Sequence, residues 1–164
     1  MSHPHSIIPP LGLVRNQIGA AVTKTGQSAS RTLLLAFFAG LFIACGACAS
    51  STAMHDMTSV GLSRFVCGLI FPVGLLMIMF VGGELFTGDC LLALGAMHGR
   101  CRVSQVARTL VLVYIGNFAG AVLLAALAAF GGQYNFSSGL LGAFTIKVAL
   151  GKATMSFVPG LLSG

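Results

Sequence analysis

The sequence predicts an all-α membrane protein with three transmembrane spans, a broken second span and the start of a fourth. Only 7% of the 164 residues are charged and 56% are hydrophobic, whereas about 25% of the residues in a soluble domain are charged. Three apolar segments are long enough to cross a hydrocarbon core, which takes about 20 helical residues. The second of these segments carries glycines and carboxylates near its centre, which predicts an interrupted helix.

The first apolar segment runs from about Thr32 to Ala53 and contains no charged residue. Small residues recur along it, namely Ala36, Ala39, Gly40, Ala44, Gly46, Ala47, Ala49 and Ser50. Because small side chains let helix backbones approach closely in lipid, this segment is predicted to pack against other helices. The preceding residues 1–31 form a polar tail, in which Ile18 to Val22 is a candidate interfacial helix.

The second apolar segment, residues 62–98, is too long for one ordinary span and is interrupted by the stretch Gly82-Gly83-Glu84-Leu85-Phe86-Thr87-Gly88-Asp89. A carboxylate exposed to lipid costs a few kcal/mol, roughly 2.5 or more. Irregular backbone at membrane depth is tolerated only inside protein or beside a water-filled cavity. We therefore predict two half-helices, 62–82 and 89–98, joined by a re-entrant loop at 83–88. A simple loop between two spans is the weaker alternative, because residues 89–98 are too few to cross alone.

The third span is predicted at residues 109–130, and a fourth begins within residues 143–158. Gly116 and Gly120 form a G-x-x-x-G pattern, a common contact face between membrane helices. Asn117 lies between them in mid-span, so its side chain is predicted to hydrogen-bond to another helix or to a loop. It is therefore grouped with Glu84 as a structural polar residue.

Basic residues predict the orientation of the chain in the membrane. They precede the first span as Arg15, Lys24 and Arg31, and they lie in the 99–108 loop before the third as Arg100, Arg102 and Arg108. The positive-inside rule places both regions in the cytoplasm and the 54–61 loop outside. We expect a multi-pass protein of the plasma (inner) membrane with a cytoplasmic N-terminus.

Other classes of protein are disfavoured by the same sequence. The basic residues are scattered and lack an aromatic platform, so no nucleic-acid partner is predicted. No nucleophile–base pair or metal-ligand cluster occurs at a workable spacing, so the chain is not predicted to be an enzyme or to hold a cofactor or metal. The Cys45-x-x-Cys48 pair lies in an apolar run, which favours packing over redox chemistry.

Three spans with a broken middle helix are typical of one repeat of an inverted-repeat transporter. In such proteins, a second repeat supplies the groups that face the broken helix. We therefore expect a second repeat to come from another copy of this chain or from another chain, or else the sequence to be part of a longer protein.

Several segments resemble the formate/nitrite transporter family, in order, over roughly residues 18–158. They are Gly82-Gly83-Glu84-Leu85-Phe86-Thr87-Gly88, Tyr114-x-Gly116-Asn117-x-x-Gly120-Ala121, Lys152-Ala153-x-x-x-Phe157, and the pair Phe71 and Leu75. The glycine-flanked E-L-F-T-G in a broken helix is the most specific of them. The resemblance implies an aquaporin-like protomer of six helices, three plus three inverted, in a homopentamer. It implies one pore per protomer for formate, nitrite, hydrosulfide or lactate.

The resemblance also implies roles for individual residues. Phe71 would line the outer constriction, Leu75, Leu85 and Phe86 the cytoplasmic constriction, Thr87 would hydrogen-bond a polar group at the pore centre, and Lys152 would attract anions to the outer vestibule. Without the resemblance, Phe71 and Leu75 would be read as packing residues, and Lys152 equally as an interfacial lysine. None of the four histidines matches the family's central pore histidine.

Two functions are compatible with these observations. The first is a channel for small monovalent anions, with a proton as candidate co-substrate, that needs a second half. The alternative is a non-transporting membrane subunit that assembles with full-length relatives.

Overall fold

The computed structural model of the protein describes residues 9–163, and all regular structure in this range is helical. The helices are α1 Pro10–Thr25, α2 Ala29–Met54, α3 Val60–Val81, α4 Phe86–Asp89, α5 Ala93–Met97, α6 Val103–Phe130, α7 Leu140–Ala153 and α8 Phe157–Ser163. The helices α2, α3 and α6 are long and apolar enough to cross a membrane, with mean hydropathies of 2.3, 2.3 and 2.2. The predicted all-α fold with three long apolar helices is confirmed.

The third long helix begins earlier than hydropathy predicts, at Val103 rather than near residue 109. Its first turns are polar, so an apolar window misses them although they are helical. The Arg102 N–H donates a hydrogen bond to the Gln105 side-chain oxygen at 2.9 Å, which satisfies a backbone donor at the start of the helix.

The N-terminal region also contains more helix than the sequence analysis predicts. The candidate interfacial helix at residues 18–22 is the later part of α1, which starts at Pro10. Proline suits this position because its φ angle is already helical and its missing N–H would have no partner there. Residues 1–8 of the predicted tail, with His3 and His5, lie outside the described residues.

The described chain forms two compact units. The first contains residues 9–41 and 78–121, and the second contains residues 42–77 and 122–163. In the second unit, a Cβ at Gly46 would lie 2.8 Å from the Phe71 carbonyl oxygen, and one at Gly74 would lie 2.6 Å from the Phe42 oxygen. Glycine therefore allows α2 and α3 to pack closely there. The later residue of α2, Gly46, contacts the earlier residue of α3, Phe71, whereas Phe42 contacts Gly74, so these two segments are antiparallel.

In the first unit, α2 packs against α6 through glycines. A Cβ at Gly116 would lie 2.5 Å from the Ala36 Cβ, and one at Gly120 would lie 2.0 Å from the Phe37 carbonyl oxygen. Contacts at Gly116 begin at Leu33 and those at Gly120 extend to Leu41, so α2 and α6 run parallel and both begin at the same end of this unit.

Because Gly120 contacts the backbone of α2, adding a single methyl group there should strongly reduce the stability of the protein. Gly120→Ala should lower the free energy of unfolding by about 1–3 kcal/mol, because the backbone of α2 must move away. Gly68→Ala is the matched control, since Gly68 is also helical but a Cβ there meets no atom within 4 Å. Thermal unfolding in detergent should show a lower midpoint for Gly120→Ala. It should be unchanged or higher for Gly68→Ala, because alanine favours helix by about 1 kcal/mol. Equal midpoints would contradict the contact.

Candidate functional site: a broken helix held by polar side chains

The second long helix ends at two consecutive glycines. Gly82 follows α3 with a left-handed φ of 69°, which glycine adopts without a steric penalty. Its N–H donates to the Met79 oxygen at 3.3 Å, and the Gly83 N–H donates to the Ile78 oxygen at 2.9 Å. This pair of bonds is the Schellman motif, which ends a helix while satisfying its last carbonyls.

The non-helical break is shorter than the sequence analysis predicts. The predicted loop covers residues 83–88, but helix resumes at Phe86, and only residues 82–85 are irregular. The segment then continues through α4, a 3₁₀ turn at Cys90–Leu92 and α5. The sequence misplaces this boundary because the two glycines of the stretch behave differently: Gly82 ends a helix, whereas Gly88 lies inside α4.

Asn117 on α6 holds the break in place. Its Nδ2 donates to the Ala36 oxygen at 2.8 Å and to the Glu84 oxygen at 2.9 Å. Its Oδ1 accepts a hydrogen bond from the Phe86 N–H at 2.9 Å. Glu84 and Phe86 flank the end of the irregular backbone, where no helical partner exists for these groups. Unpaired backbone groups cost several kcal/mol in lipid. The Asn117 side chain pairs two such groups of the loop and connects the loop to both α2 and α6.

Two carboxylates beside the break share one ammonium group. The side chains of Glu84 and Asp89 are 4% and 1% exposed. The Lys24 Nζ donates to an oxygen of Glu84, and to the Oδ1 of Asp89 at 2.7 Å. The Oδ2 of Asp89 is buried without a hydrogen-bond partner among the described residues. With both carboxylates ionised, this Lys24 cluster (Lys24, Glu84 and Asp89) carries one net negative charge.

Lys24 is positioned by the packing of α1. Ala21, one turn earlier, is fully buried with Leu92 and Val106. A Cβ at Gly95 would lie 2.5 Å from the Ala21 Cβ, so α1 lies directly on α5. Burial by itself lowers the pKa of Lys24, but its hydrogen bonds to the carboxylates and their charges outweigh burial and raise the pKa above 10.5. Lys24 is therefore charged at neutral pH.

The three side chains at the end of the loop differ in how firmly they are held. The Phe86 ring packs edge-to-face on Tyr114, with ring centroids 5.7 Å apart. Leu85 and Phe86 are both half-buried. Thr87 is exposed, and its hydroxyl makes no hydrogen bond within residues 9–163. This hydroxyl is the polar group of the segment that can bind something outside the described chain.

The remaining residues singled out by the sequence lie in the second unit. Phe71 and Leu75 are one turn apart on α3 and are 39% and 44% exposed. Lys152 is exposed in the last turn of α7 and makes no ion pair within the described residues. The structure thus brings together Glu84, Phe86 and Asn117, while Phe71, Leu75 and Lys152 belong to the other unit.

Sequence analysis treats Lys24 only as a marker of orientation and misses its pairing with Glu84 and Asp89. One signal pointed to such a partner: a buried carboxylate in an apolar segment requires a compensating cation. The identity of that cation was hidden, because 60 residues separate Lys24 from Glu84 along the chain.

Three helices long and apolar enough to cross a membrane, with a discontinuous segment whose backbone groups are satisfied, are typical of multi-pass membrane proteins that build transport pathways. The family is defined by comparison with known proteins: the model of the formate/nitrite transporter family matches residues 12–164, and the chain belongs to this family.

Individual relatives agree with this assignment. The chain is 32% identical to the formate channel FocA of Haemophilus influenzae over 129 residues, covering 74% of this chain and 45% of that protein. It is 27% identical to the formate channel FocA of Escherichia coli K12 over 164 residues, covering 99% of this chain and 58% of that protein. It is 30% identical to the formate-nitrite transporter of Plasmodium ovale, covering 66% of this chain and 38% of that protein. The chain thus spans about half the length of these relatives.

Proposed function

We propose that the chain forms one half of a transport pathway for small monovalent anions of the formate and nitrite class. The observation that carries the proposal is the break in the second segment, where Asn117 accepts a hydrogen bond from the Phe86 N–H and donates one to the Glu84 oxygen, on either side of Leu85 and directly before Thr87. Because Asn117 bonds backbone atoms of this segment, the Thr87 hydroxyl is not used to hold it, and Thr87 is exposed. Relatives of this chain include formate channels, a probable formate transporter and a formate-nitrite transporter, which supports this substrate class.

The proposed pathway assigns a role to each candidate residue. Phe71 and Leu75 lie on one exposed face of α3, and we assign them to apolar constrictions that strip water from the anion. Leu85 and Phe86 of the first unit are likewise assigned to a constriction. Lys152 raises the local anion concentration, because a fixed cation near a low-dielectric opening attracts anions. Thr87 hydrogen-bonds a polar group of the second half at the pore centre, where a proton is handled together with the anion.

The orientation and assembly are part of the same proposal. The helices α2 and α6 start at the same end of the first unit, and six basic residues precede or open these two helices: Arg15, Lys24, Arg31, Arg100, Arg102 and Arg108. The positive-inside rule favours the cytoplasmic side for this end, and we propose the plasma membrane as the host membrane. Most of each span is uncovered by the chain itself, with 28%, 11% and 17% of the three apolar windows buried. A second repeat and a homopentamer would cover the remaining surface.

The proposal is tested by anion flux in liposomes. The chain is reconstituted alone and together with a polypeptide matching the part of the Escherichia coli formate channel that this chain does not cover. Flux of formate and nitrite is expected with the second polypeptide. Flux from the chain alone would mean that copies complete one another's pores. No flux from a correctly assembled pentamer in either case would reject transport and favour the alternative, a non-transporting subunit.

Thr87→Ala should slow this flux roughly tenfold, the effect of losing one hydrogen bond of about 1.4 kcal/mol at the barrier. Thr58→Ala is the matched control, since Thr58 is also exposed but lies in the loop between α2 and α3. Initial rates of formate uptake measure the effect. A Thr87→Ala rate equal to that of Thr58→Ala would remove Thr87 from the pathway.

A further inference from the structure

A basic groove lies in the first unit and shares no lining residue with the break or its polar anchors. It has a volume of about 460 Å³ and is lined by Arg15, Ile18, Gly19 and Val22 of α1 and by His98 and Arg100. The four α1 residues are spaced at i, i+3, i+4 and i+7, so they share one face of the helix. We call this feature the Arg15–Arg100 groove.

The two walls of the groove are fixed to each other. Gly99 follows α5 with a left-handed φ of 66°. The Gly99 N–H donates to the Ala96 oxygen at 3.0 Å, and the Arg100 N–H donates to the Gly95 oxygen at 2.9 Å. This Schellman motif sets the backbone direction at Arg100. Gly95 is also where α5 meets α1, so Arg100 is held beside the Arg15 face without needing a ligand.

Among the described residues, no carboxylate forms an ion pair with the arginines of the groove. The chain has three acidic residues, Asp56, Glu84 and Asp89. Glu84 and Asp89 are bonded to Lys24, and Asp56 belongs to the second unit. Within residues 9–163, neither Arg15 nor Arg100 forms an ion pair. Two guanidinium groups on one groove are suited to a phosphate, because each offers a planar fork of N–H donors.

The rest of the groove and its helix are apolar, which distinguishes a lipid from a soluble anion. Ile18 and Val22 line the groove beside the arginines. The same helix exposes Leu11 and Leu13, which are 75% and 52% exposed. A helix with exposed leucines and a basic edge typically lies at a membrane surface. It leads directly into α2, and Arg100 leads into α6, the two parallel helices that begin at this end of the unit.

We propose that the Arg15–Arg100 groove binds the phosphate of an anionic phospholipid, with the glycerol and first acyl carbons against Ile18 and Val22. The proposal does not rest on transport activity. Binding here would anchor α1, which carries Lys24, to the membrane surface.

The test is lipid binding by the purified, delipidated chain in detergent, measured by native mass spectrometry. Phosphatidylglycerol and phosphatidylcholine with identical acyl chains are offered at equal concentration. Phosphatidylglycerol should bind more tightly. Arg15→Gln and Arg100→Gln should each weaken phosphatidylglycerol binding about fivefold, the value of one basic residue near an anionic headgroup. Phosphatidylcholine carries the same phosphodiester but also a choline cation, so its weaker binding should fall by a smaller factor.

Arg64→Gln is the matched control, since Arg64 is also an exposed arginine but lies on α3 in the second unit. It should leave phosphatidylglycerol binding unchanged. Arg15 and Arg100 are exposed, so their variants should fold, and unchanged far-ultraviolet circular dichroism would verify this. High salt provides a second measurement on the unmodified chain and should reduce the preference for phosphatidylglycerol.

Three results would overturn the proposal. One is equal binding of the two lipids. Another is an Arg15→Gln, Arg100→Gln double variant that binds phosphatidylglycerol like the unmodified chain or like Arg64→Gln. The third is displacement of phosphatidylglycerol by millimolar inorganic phosphate, which would identify a site for soluble anions instead.

Discussion

Lys24→Met should destabilise the protein more than the same substitution at Lys147 or Lys152. The substitution preserves most of the side-chain length but leaves the carboxylates of Glu84 and Asp89 buried without a cation. Removing one partner from a buried ion pair costs about 3–5 kcal/mol. For a chain of this size, that corresponds to a fall of roughly 6–20 °C in the unfolding midpoint. Thermal unfolding in detergent at neutral pH measures it.

The matched control is Lys147→Met on α7. Lys147 is exposed and forms no ion pair within the described residues, so the same chemical change should shift the midpoint little. A fall as large as that of Lys24→Met would show that loss of any lysine is harmful, and the cluster would not be the cause.

A second variant tests the charge balance of the Lys24 cluster. In the Lys24→Met background, adding Asp89→Asn removes one of the two unpaired negative charges and should recover part of the lost stability. Asp89→Asn alone should cost far less than Lys24→Met, because it leaves one ammonium facing one carboxylate, that of Glu84. If the double variant is less stable than Lys24→Met, then the penalty does not arise from uncompensated charge.

Asn117→Ala should have the second largest effect. It removes three hydrogen bonds at once, to the Ala36 oxygen, the Glu84 oxygen and the Phe86 N–H. Leaving a buried backbone group without a partner costs about 1–3 kcal/mol. Because the Ala36 oxygen belongs to a helix and can keep its helical bond, the losses at Glu84 and Phe86 dominate. We expect a total of about 2–4 kcal/mol, measured by thermal unfolding.

Asn117→Asp separates the two halves of this interaction. An aspartate can still accept from the Phe86 N–H but cannot donate to the Ala36 and Glu84 oxygens. Its charge would also lie close to the carbonyl oxygens and the Lys24 cluster. It should therefore be no more stable than Asn117→Ala. Ile115→Ala is the control on the same helix, because Ile115 is 52% exposed and should contribute little within this chain. If Asn117→Ala is as stable as Ile115→Ala, then the break does not depend on this side chain.

Loss of the Asn117 bonds should also loosen the break without unfolding the long helices. Hydrogen exchange at the Phe86 amide should accelerate in Asn117→Ala, because its acceptor is gone. The Gly83 amide, which donates to the Ile78 oxygen, should remain protected and serves as the internal reference. Equal acceleration at both amides would indicate unfolding of the whole segment.

The sequence alone determined the all-α membrane fold, because one physical rule limits what such a chain can form in lipid. A chain with 7% charged residues and three long apolar segments has few folds open to it, because backbone groups in lipid must be satisfied within helices. The same rule indicates that the second segment is interrupted, since glycines and carboxylates there conflict with a continuous span. The residues around the break were also sufficient to indicate the family.

Tertiary structure alone decided which groups compensate the break. The position of Asn117 in mid-span shows that it needs hydrogen-bond partners, and carboxylates in an apolar segment require compensation, but the groups that supply both are far away in sequence. Lys24 is 60 and 65 residues from its two carboxylates, and Asn117 is 33 residues from the Glu84 oxygen that it bonds. Local sequence preference does not encode such pairings. They exist because close contacts at glycines hold α1 against α5, at Gly95 and Ala21, and α6 against α2, at Gly120 and Phe37.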